Sequence, residues 1–332
     1  MTSENTQKPH DRMAAYLNAD MTAVNDLIRD RMASEHAPRI PEVTAHLVEA
    51  GGKRLRPMLT LAAARLCGYD GPYHVHLAAT VEFIHTATLL HDDVVDESAQ
   101  RRGRPTANLL WDNKSSVLVG DYLFARSFQL MTETNNMRVL AILANASATI
   151  AEGEVLQLTA AQNLATDEGI YLQVVRGKTA ALFSAATQVG GVIAAAPDAQ
   201  VQALFDYGDA LGIAFQIVDD LLDYQGDPNA TGKNIGDDFR ERKLTLPVIK
   251  AIAKGDAAER AFWTRTIEKG RQDDGDLEHA LSLLNAHGTL DETKAEALAW
   301  AEQAKTALNT LPDHDLTQML RHLADYVVAR IS

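Results

Sequence analysis

The sequence feature that most restricts the fold is a spacing of three aspartates that occurs twice, each time inside an apolar stretch. The first group is Asp92, Asp93 and Asp96, and the second is Asp219, Asp220 and Asp223. In a helix, the first and last members of each group lie about 6 Å apart along the axis, on one face. Like charges at this spacing destabilise a helix, and buried unpaired carboxylates cost far more, so each group predicts a bound cation.

A divalent metal is the natural partner for these groups, because hard cations prefer oxygen ligands. One group alone is weak evidence, since acidic pairs are common on solvated helix faces, but two groups in apolar surroundings are much stronger. Facing each other, they gather six carboxylates, whose charge three Mg2+ ions would neutralise. Mg2+ takes one or two carboxylates, keeps several waters and binds phosphate oxygens, so the sequence predicts a metal-held diphosphate.

The composition is that of an ordinary globular chain and argues against two kinds of partner. The 332 residues are 46% hydrophobic, enough for one large core or two small ones. The net charge of -14 argues against nucleic acid and against anionic lipid. Cys67 is the only cysteine, which excludes an internal disulfide and fits the cytoplasm, where we expect the protein. The polar segment 1–12 shows no secretory signal and is expected to be flexible.

One uncharged segment is long enough to test for membrane insertion. Residues 179–196 run for eighteen positions without a charge, the lower limit for a spanning helix. Four polar residues interrupt the run, and alanine and glycine supply much of the rest. We therefore expect a closely packed helix here and no transmembrane segment.

Apolar residues recur at helical spacing along nearly the whole chain, and no stretch shows a convincing strand alternation. The predicted helices are 13–32, 42–49, 57–66, 74–96, 115–132, 137–161, 166–195, 199–222 and 245–253, with four more between 256 and 331. The helix over 166–195 is expected to bend near Gly190 and Gly191. No linker divides the chain, so we expect one all-α domain over 1–332, a bundle of long helices around a central cavity.

Basic and polar residues supply candidate anion sites near the aspartates. Gly51 and Gly52 precede three cations, Lys53, Arg54 and Arg56, whose loop could bind a diphosphate, although a charged loop is more often only solvated. Further candidates flank the aspartate groups or interrupt apolar runs: Arg101, Arg102, Lys178, Thr179, His85 and Gln216. His85 alone, or Gln216 alone, would more often be a hydrogen-bonded core residue. Lys233 and Lys243 lie in a loop that could close over a bound anion.

The residues therefore predict two anion sites of different chemistry, one bridged by metals and one bound by arginine and lysine alone. A diphosphate that leaves needs its developing charge stabilised, whereas one that stays attached needs only to be bound. Apolar residues between the sites would shelter a carbocation from water.

Seven segments of the chain resemble the trans-isoprenyl diphosphate synthases, above all the long-chain polyprenyl members that make quinone side chains. The segments are 51–57, 85–108, 119–128, 150–158, 177–183, 215–227 and 231–247. The resemblance implies the all-α isoprenoid synthase fold, usually as a homodimer. It also implies Mg2+, replaceable by Mn2+, and repeated head-to-tail addition of isopentenyl diphosphate to an allylic diphosphate such as farnesyl or geranylgeranyl diphosphate.

The same resemblance assigns a role to each candidate residue. Metal ligands are Asp92, Asp96 and Asp219, and their catalytic partners are Asp93, Asp220, Asp223 and Lys178. The allylic diphosphate is bound by Arg101, Lys178, Thr179, Gln216 and Lys233. Isopentenyl diphosphate is bound by Gly52, Lys53, Arg56, His85 and Arg102. The allylic cation forms, the double bond of isopentenyl diphosphate attacks it, and a proton is lost to the released diphosphate.

The length of the product is predicted from the helix that carries the first aspartates. Thr88 lies one turn before Asp92, with Ala87 and Ile84 deeper, so a growing chain should pass these positions. Short-chain members typically place aromatic rings there, whereas Ala87 and Thr88 are small. Candidates for the floor of this tunnel, which could equally be ordinary core, are Phe128, Met131 and Leu143. With these small residues, the resemblance implies a product of about eight to ten isoprene units, C40 to C50, for a quinone side chain.

Three alternatives compete with this interpretation. A shorter-chain geranylgeranyl synthase would share every motif except the open tunnel. A terpene cyclase usually carries a different second metal motif and needs no second diphosphate site. A non-catalytic partner subunit should have eroded aspartate motifs, and both are intact here.

Overall fold

The structure, a computed structural model, describes residues 8–49, 52–101, 103–225 and 235–331. The helices are α1 Pro9–Tyr16, α2 Asn18–Met32, α3 Arg39–Glu49, α4 Leu55–Leu66, α5 Tyr73–Val95, α6 Ala107–Leu110, α7 Asn113–Glu133, α8 Met137–Ala160, α9 Glu168–Val175, α10 Ala181–Ile193, α11 Asp198–Gln225, α12 Asp237–Arg240, α13 Leu246–Lys254, α14 Ala257–Trp263, α15 Asp276–Ala286, α16 Thr289–Ala307 and α17 Asp315–Ala329. Two π-helical turns, Arg176–Ala180 and Thr264–Glu268, follow α9 and α14, and Leu308–Thr310 is a 3-10 turn. The strands in these ranges are β1 Gln100–Arg101 and β2 Arg104–Pro105, an antiparallel pair.

The chain divides into two compact units. The first unit comprises 1–147, 182–205 and 310–320, and the second comprises 148–181, 206–309 and 321–332. The all-α prediction is confirmed, while the prediction of one domain around a central cavity stays a prediction.

In the first unit, α5 is the central helix and packs against α2, α4 and α7. It is apolar on nearly all sides, as expected of a helix surrounded by others. Its buried side chains include Leu77, Val81, Phe83, Ile84, Ala87 and Leu90. This burial fixes α5, and therefore the aspartates at its carboxyl end.

In the second unit, aromatic and aliphatic side chains form a continuous core. Trp263 is fully buried and packs edge-to-face against Phe262 and Phe239. Leu221 and Tyr224 of α11 belong to the same core. The carboxyl end of α11 is thereby anchored on one side, next to its aspartates.

Three local predictions need correction. The helix predicted over 13–32 is two helices, and α1 includes residues 9–12, which were expected to be flexible. The segment 166–195 is interrupted at the π turn 176–180 and not at Gly190, where an added Cβ would lie 2.6 Å from Ala63 Cβ. Glycine is therefore needed there for close helix packing. The strand pair was not predicted, because two residues are too few for a recognisable alternation.

One described helix is long and apolar enough to span a membrane when only length and composition are considered. This helix is α8, Met137–Ala160, with 28% of its most apolar window buried. The segment considered from the sequence, 179–196, instead contains the 13-residue helix α10. The absence of a transmembrane segment stays a prediction.

Candidate active site

The first aspartate group lies at the carboxyl end of α5, with Asp96 as the residue that ends the helix. Asp93 is fully buried, Asp92 is half-buried and Asp96 is exposed. A helix carboxyl end already carries a partial negative charge, so three carboxylates there increase the local demand for cations.

Arg101 supplies one of these cations. Its Nε and Nη2 atoms lie 2.9 and 2.8 Å from Asp93 Oδ1. The β1–β2 hairpin, which pairs Arg101 with Arg104 and turns at Gly103 with φ +75°, brings Arg101 back to α5. Asp93 Oδ2 is buried and has no hydrogen-bond partner among the described residues. Arg101 thus balances a buried aspartate here, and its predicted contact with a diphosphate stays a prediction.

The cationic loop before α4 lies beside α5 in the same unit. Arg56 Nη1 is 3.3 Å from His85 Nε2, and the guanidinium of Arg56 lies 4.4 Å from the centre of the Phe183 ring. Gly52 and Lys53 are exposed. The structure therefore brings Arg56 and His85 together, as expected of residues that share one ligand. Arg102 and Lys233 lie outside the described residues.

The second aspartate group lies in the last two turns of α11, again at the negative end of a helix. Asp220 is buried and accepts hydrogen bonds from Tyr171 Oη at 2.7 Å and from Gln216 Nε2 at 2.8 Å. Thr179 Oγ1 donates to Gln216 Oε1 at 2.8 Å, which fixes the orientation of that amide. Burial raises the pKa of Asp220 to about 6, and the two hydrogen bonds oppose this rise.

Asp238, which no sequence motif pointed to, is a second largely buried carboxylate beside this group, with its side chain 21% exposed. Its backbone N–H donates to Asp223 Oδ2 at 3.0 Å, and Lys243 Nζ lies 3.9 Å from Asp238 Oδ1. Burial, with the charges of Asp220 and Asp223, raises the pKa of Asp238 well above its ordinary value. The only sequence signal was an acidic pair inside one of the family segments.

Lys178 lies in the π turn and reaches α8. Its Nζ donates to Glu154 Oε2 at 2.9 Å. This approach needs two glycines, because a Cβ on Gly153 would lie 2.7 Å from the backbone nitrogen of Lys178, and one on Gly177 would lie 2.7 Å from Gly153 Cα. Single π turns often occur at functional sites.

Residues of the second unit, several of them described above, line a cavity of about 150 Å³. The polar and charged side chains in its wall are Gln157, Thr166, Tyr171, Lys178, Thr179, Gln216, Asp220, Asp238, Lys243 and Thr245. The structure therefore brings together Lys178, Thr179 and Gln216, three of the five residues predicted to bind the allylic diphosphate.

Arg330, which follows α17 near the end of the chain, is a second residue that the sequence analysis missed. Its Nη1 lies 2.8 Å from Asp219 Oδ1, and its guanidinium lies 5.7 Å from the centre of the Phe215 ring. A lone arginine so far from any motif gave no sequence signal. It supplies a counter-charge to Asp219.

The donor set fits a divalent metal that is only partly coordinated by protein. Among the described residues no three His, Cys, Asp or Glu side chains form a closed metal cage. Mg2+ does not need one, because it takes one or two carboxylates and fills its remaining positions with water and phosphate oxygens. Asp92, Asp96, Asp219 and Asp223 all retain exposed surface, and the buried Asp93 Oδ2 lacks a donor. The meeting of the two aspartate groups stays a prediction.

The predicted tunnel residues are divided between the interior and the surface of the first unit. Ile84, Ala87, Met131 and Leu143 are fully buried, and Thr88 is half-buried. Phe128 is 42% exposed in this chain, and its place at the floor of a tunnel stays a prediction.

Two aspartate groups, a polar cavity and a cationic segment on an all-α fold suit an enzyme that acts on diphosphates. The profile of the Polyprenyl synthetase family matches residues 37–284. The chain is 44% identical over 311 residues to octaprenyl diphosphate synthase of Escherichia coli (strain K12), covering 94% of this chain and 96% of that protein.

Solved structures agree with the family match. The chain is similar to the crystal structure of a decaprenyl diphosphate synthase from Rhodobacter capsulatus, with TM-score 0.95 and 78% identity, covering 97% of this chain and 99% of that one. It is also similar to a polyprenyl synthase from Caulobacter crescentus CB15 complexed with calcium and isoprenyl diphosphate, with TM-score 0.92 and 51% identity, covering 97% and 98%. The chain belongs to the polyprenyl synthetase family and is a prenyltransferase with the isoprenoid synthase fold.

Proposed function

We propose that the protein is a long-chain all-trans-polyprenyl diphosphate synthase. It adds isopentenyl diphosphate head to tail to an allylic diphosphate such as farnesyl diphosphate. The observation that carries the proposal is the pair of aspartate groups at the carboxyl ends of α5 and α11. In each group one aspartate is buried and held by protein donors, while the others keep exposed surface.

In this proposal Asp92, Asp96 and Asp219 hold Mg2+, which neutralises the charge that develops on the leaving diphosphate. Asp93, Asp220 and Asp223 support them, and Asp220 is oriented by Tyr171 and Gln216. The allylic diphosphate binds Lys178, Thr179 and Gln216, which line the cavity of the second unit. Arg101 and Lys233 complete this set.

Isopentenyl diphosphate binds the cationic loop, because its diphosphate stays attached and needs only charge-assisted hydrogen bonds. Lys53, Arg56 and His85 supply them, together with Gly52 and Arg102. Contact between Arg56 and His85 supports this assignment.

The long product is supported by Ala87, a small residue that is fully buried one turn and one residue before Asp92. The names of the octaprenyl and decaprenyl relatives point to the same range, about C40 to C50. We further propose a homodimer in the cytoplasm that supplies a quinone side chain. Exposed apolar side chains on α7, namely Val117, Leu118 and Phe128, support self-association.

The test is condensation by purified protein of labelled isopentenyl diphosphate with farnesyl diphosphate and Mg2+. Label should enter an allylic product that acid hydrolyses to a solvent-extractable alcohol, and EDTA, Asp92→Ala or Asp219→Ala should reduce the rate by at least about 100-fold. Asp315→Ala, at the start of α17, is the matched control and should retain full activity. Turnover that survives EDTA or either aspartate change would refute the metal assignment.

A further inference from the structure

Three cations where the loop enters α4 occupy different environments: Lys53 and Arg54 precede the helix, and Arg56 lies in its first turn. Lys53 is exposed, and Arg56 contacts His85 and the Phe183 ring. The guanidinium of Arg54 instead pairs with the carboxylate of Glu82, and their side chains are only 17% and 12% exposed. Their spacing predicted that all three cations could bind one diphosphate, whereas in the structure the Arg54 side chain points inward.

The backbone of Arg54 is in the left-handed region, with φ +47° and ψ +36°, directly before α4. A residue with a Cβ is disfavoured in that region, so it persists only where its surroundings hold it. The Arg54 side chain makes no capping hydrogen bond to α4 and pairs with Glu82 instead. A largely buried charge that loses its partner is costly, which keeps this backbone conformation in place.

Glu82 and His85 are three residues apart in α5, so they are neighbours on one face of that helix. The end of the loop and the first turn of α4 meet this face at two points, with Arg54 on Glu82 and Arg56 on His85. Two contacts fix the position and the direction of the loop along α5, whereas a single contact would let it pivot. Lys53, the residue before Arg54, is thereby directed outward.

We infer that the Arg54–Glu82 ion pair positions Lys53 and Arg56 for the diphosphate of isopentenyl diphosphate without touching that ligand. The inference rests on the proposed function, which assigns the loop to this substrate. Because the bound diphosphate does not leave in the reaction, misplacement of the loop weakens substrate binding and spares the chemical step. Arg54 and Glu82 are therefore positioning residues.

The test uses Glu82→Gln, which keeps the shape of the side chain and removes its charge. The KM for isopentenyl diphosphate should rise by about 10- to 100-fold, with kcat and the KM for the allylic substrate within about threefold of wild type. Arg54→Gln should give a similar rise, and the double variant should be no worse than either single one, because both remove one interaction. The inference is contradicted if the effects of the two changes on KM add up in the double variant. It is also contradicted if the KM for the allylic substrate rises as much as the KM for isopentenyl diphosphate.

Glu133→Gln is the matched control, since it breaks another ion pair of the same unit. Glu133 accepts from Arg31 Nη1 and Nη2 at 2.6 and 2.9 Å and lies 3.3 Å from His76 Nε2 in the first turn of α5. This control should leave both KM values unchanged. A rise equal to that of Glu82→Gln would show a general loss of stability and overturn the inference.

Calorimetric titration with isopentenyl diphosphate in EDTA separates the inference from the proposed function. Wild type that binds no ligand and forms no product refutes the proposed function. Wild type that binds, with Glu82→Gln binding equally well, refutes the positioning role alone. If Glu82→Gln does not fold, Arg54→Gly decides, because glycine accepts the left-handed backbone but cannot form the pair. Normal binding by that variant would overturn the inference.

Discussion

The hydrogen bond from Tyr171 to the buried Asp220 gives the sharpest quantitative prediction. The pKa of Asp220 is about 6, against 3.8 for an ordinary aspartate, chiefly because the carboxylate is removed from water. A carboxyl group with a raised pKa binds its proton more tightly in the folded chain. Its contribution to stability is therefore full below about pH 4 and is lost as the pH rises through 6, a loss of about 3 kcal/mol.

Tyr171→Phe removes one of the two donors that oppose this loss. A hydrogen bond to a charged acceptor contributes about 1.5–3 kcal/mol, and one between neutral groups about 1 kcal/mol. In EDTA at pH 8, where Asp220 is ionised, the variant should lose about 1.5–3 kcal/mol of unfolding free energy. At pH 5 the carboxyl is mostly protonated, so the difference from wild type should fall to about 1 kcal/mol.

The assay is urea denaturation of both proteins at the two pH values. Tyr224→Phe is the matched control, because its hydroxyl lies 3.4 Å from the neutral Thr245 Oγ1 in the same core. This control should show a small loss that does not change with pH. An equal loss at pH 5 and pH 8 for Tyr171→Phe would refute the reasoning that the hydrogen bond stabilises an ionised aspartate.

Further predictions concern the π turn, the tunnel and the end of the chain. Gly153→Ala should cost about 1–3 kcal/mol of stability and lower activity, because the added Cβ would lie 2.7 Å from the backbone nitrogen of Lys178. Gly169→Ala is the control and should be tolerated, because its Cβ would meet only Asp167 Oδ1, at 3.2 Å. Thermal melts and rate assays measure both effects. Ala87→Tyr should shorten the product on chromatography, and an unchanged length would contradict the tunnel direction. Arg330→Met should bind Mg2+ more tightly, because Asp219 Oδ1 loses the cation that competes with the metal. In thermal melts with inorganic pyrophosphate, the Mg2+ concentration that gives half of the stabilisation should fall. An unchanged concentration would exclude this competition.

The helices and the aspartate groups were predictable because both follow from local spacing. Burial of one face, or of every face in the case of α5, leaves a periodic record in the sequence. Four helices were predicted between 256 and 331, and the structure has α14, α15, α16 and α17 there, because glycines such as Gly288, with φ +64°, end a helix. The π turn at 176–180 left no such record, because a π turn adds a residue to a helix without changing the composition.

Roles that depend on which side chains meet in space were harder to predict. Arg54 precedes α4 and Arg56 lies in its first turn, and their contacts with Glu82 and His85 on α5 do not follow from their spacing. Arg101 was assigned to a diphosphate, although in this structure it pairs with Asp93. Asp238 and Arg330 approach the second aspartate group from distant segments, so no spacing rule connects them to it. Phe128 is apolar but exposed, and composition could not separate it from the core.

The central claim is tested most directly by the length of the product that the purified chain makes. Farnesyl diphosphate, excess isopentenyl diphosphate and Mg2+ are incubated with the protein, and the dephosphorylated products are separated by reversed-phase chromatography. The account predicts a dominant peak between about C40 and C50. A product that stops near C20, or no incorporation of isopentenyl diphosphate, would contradict it.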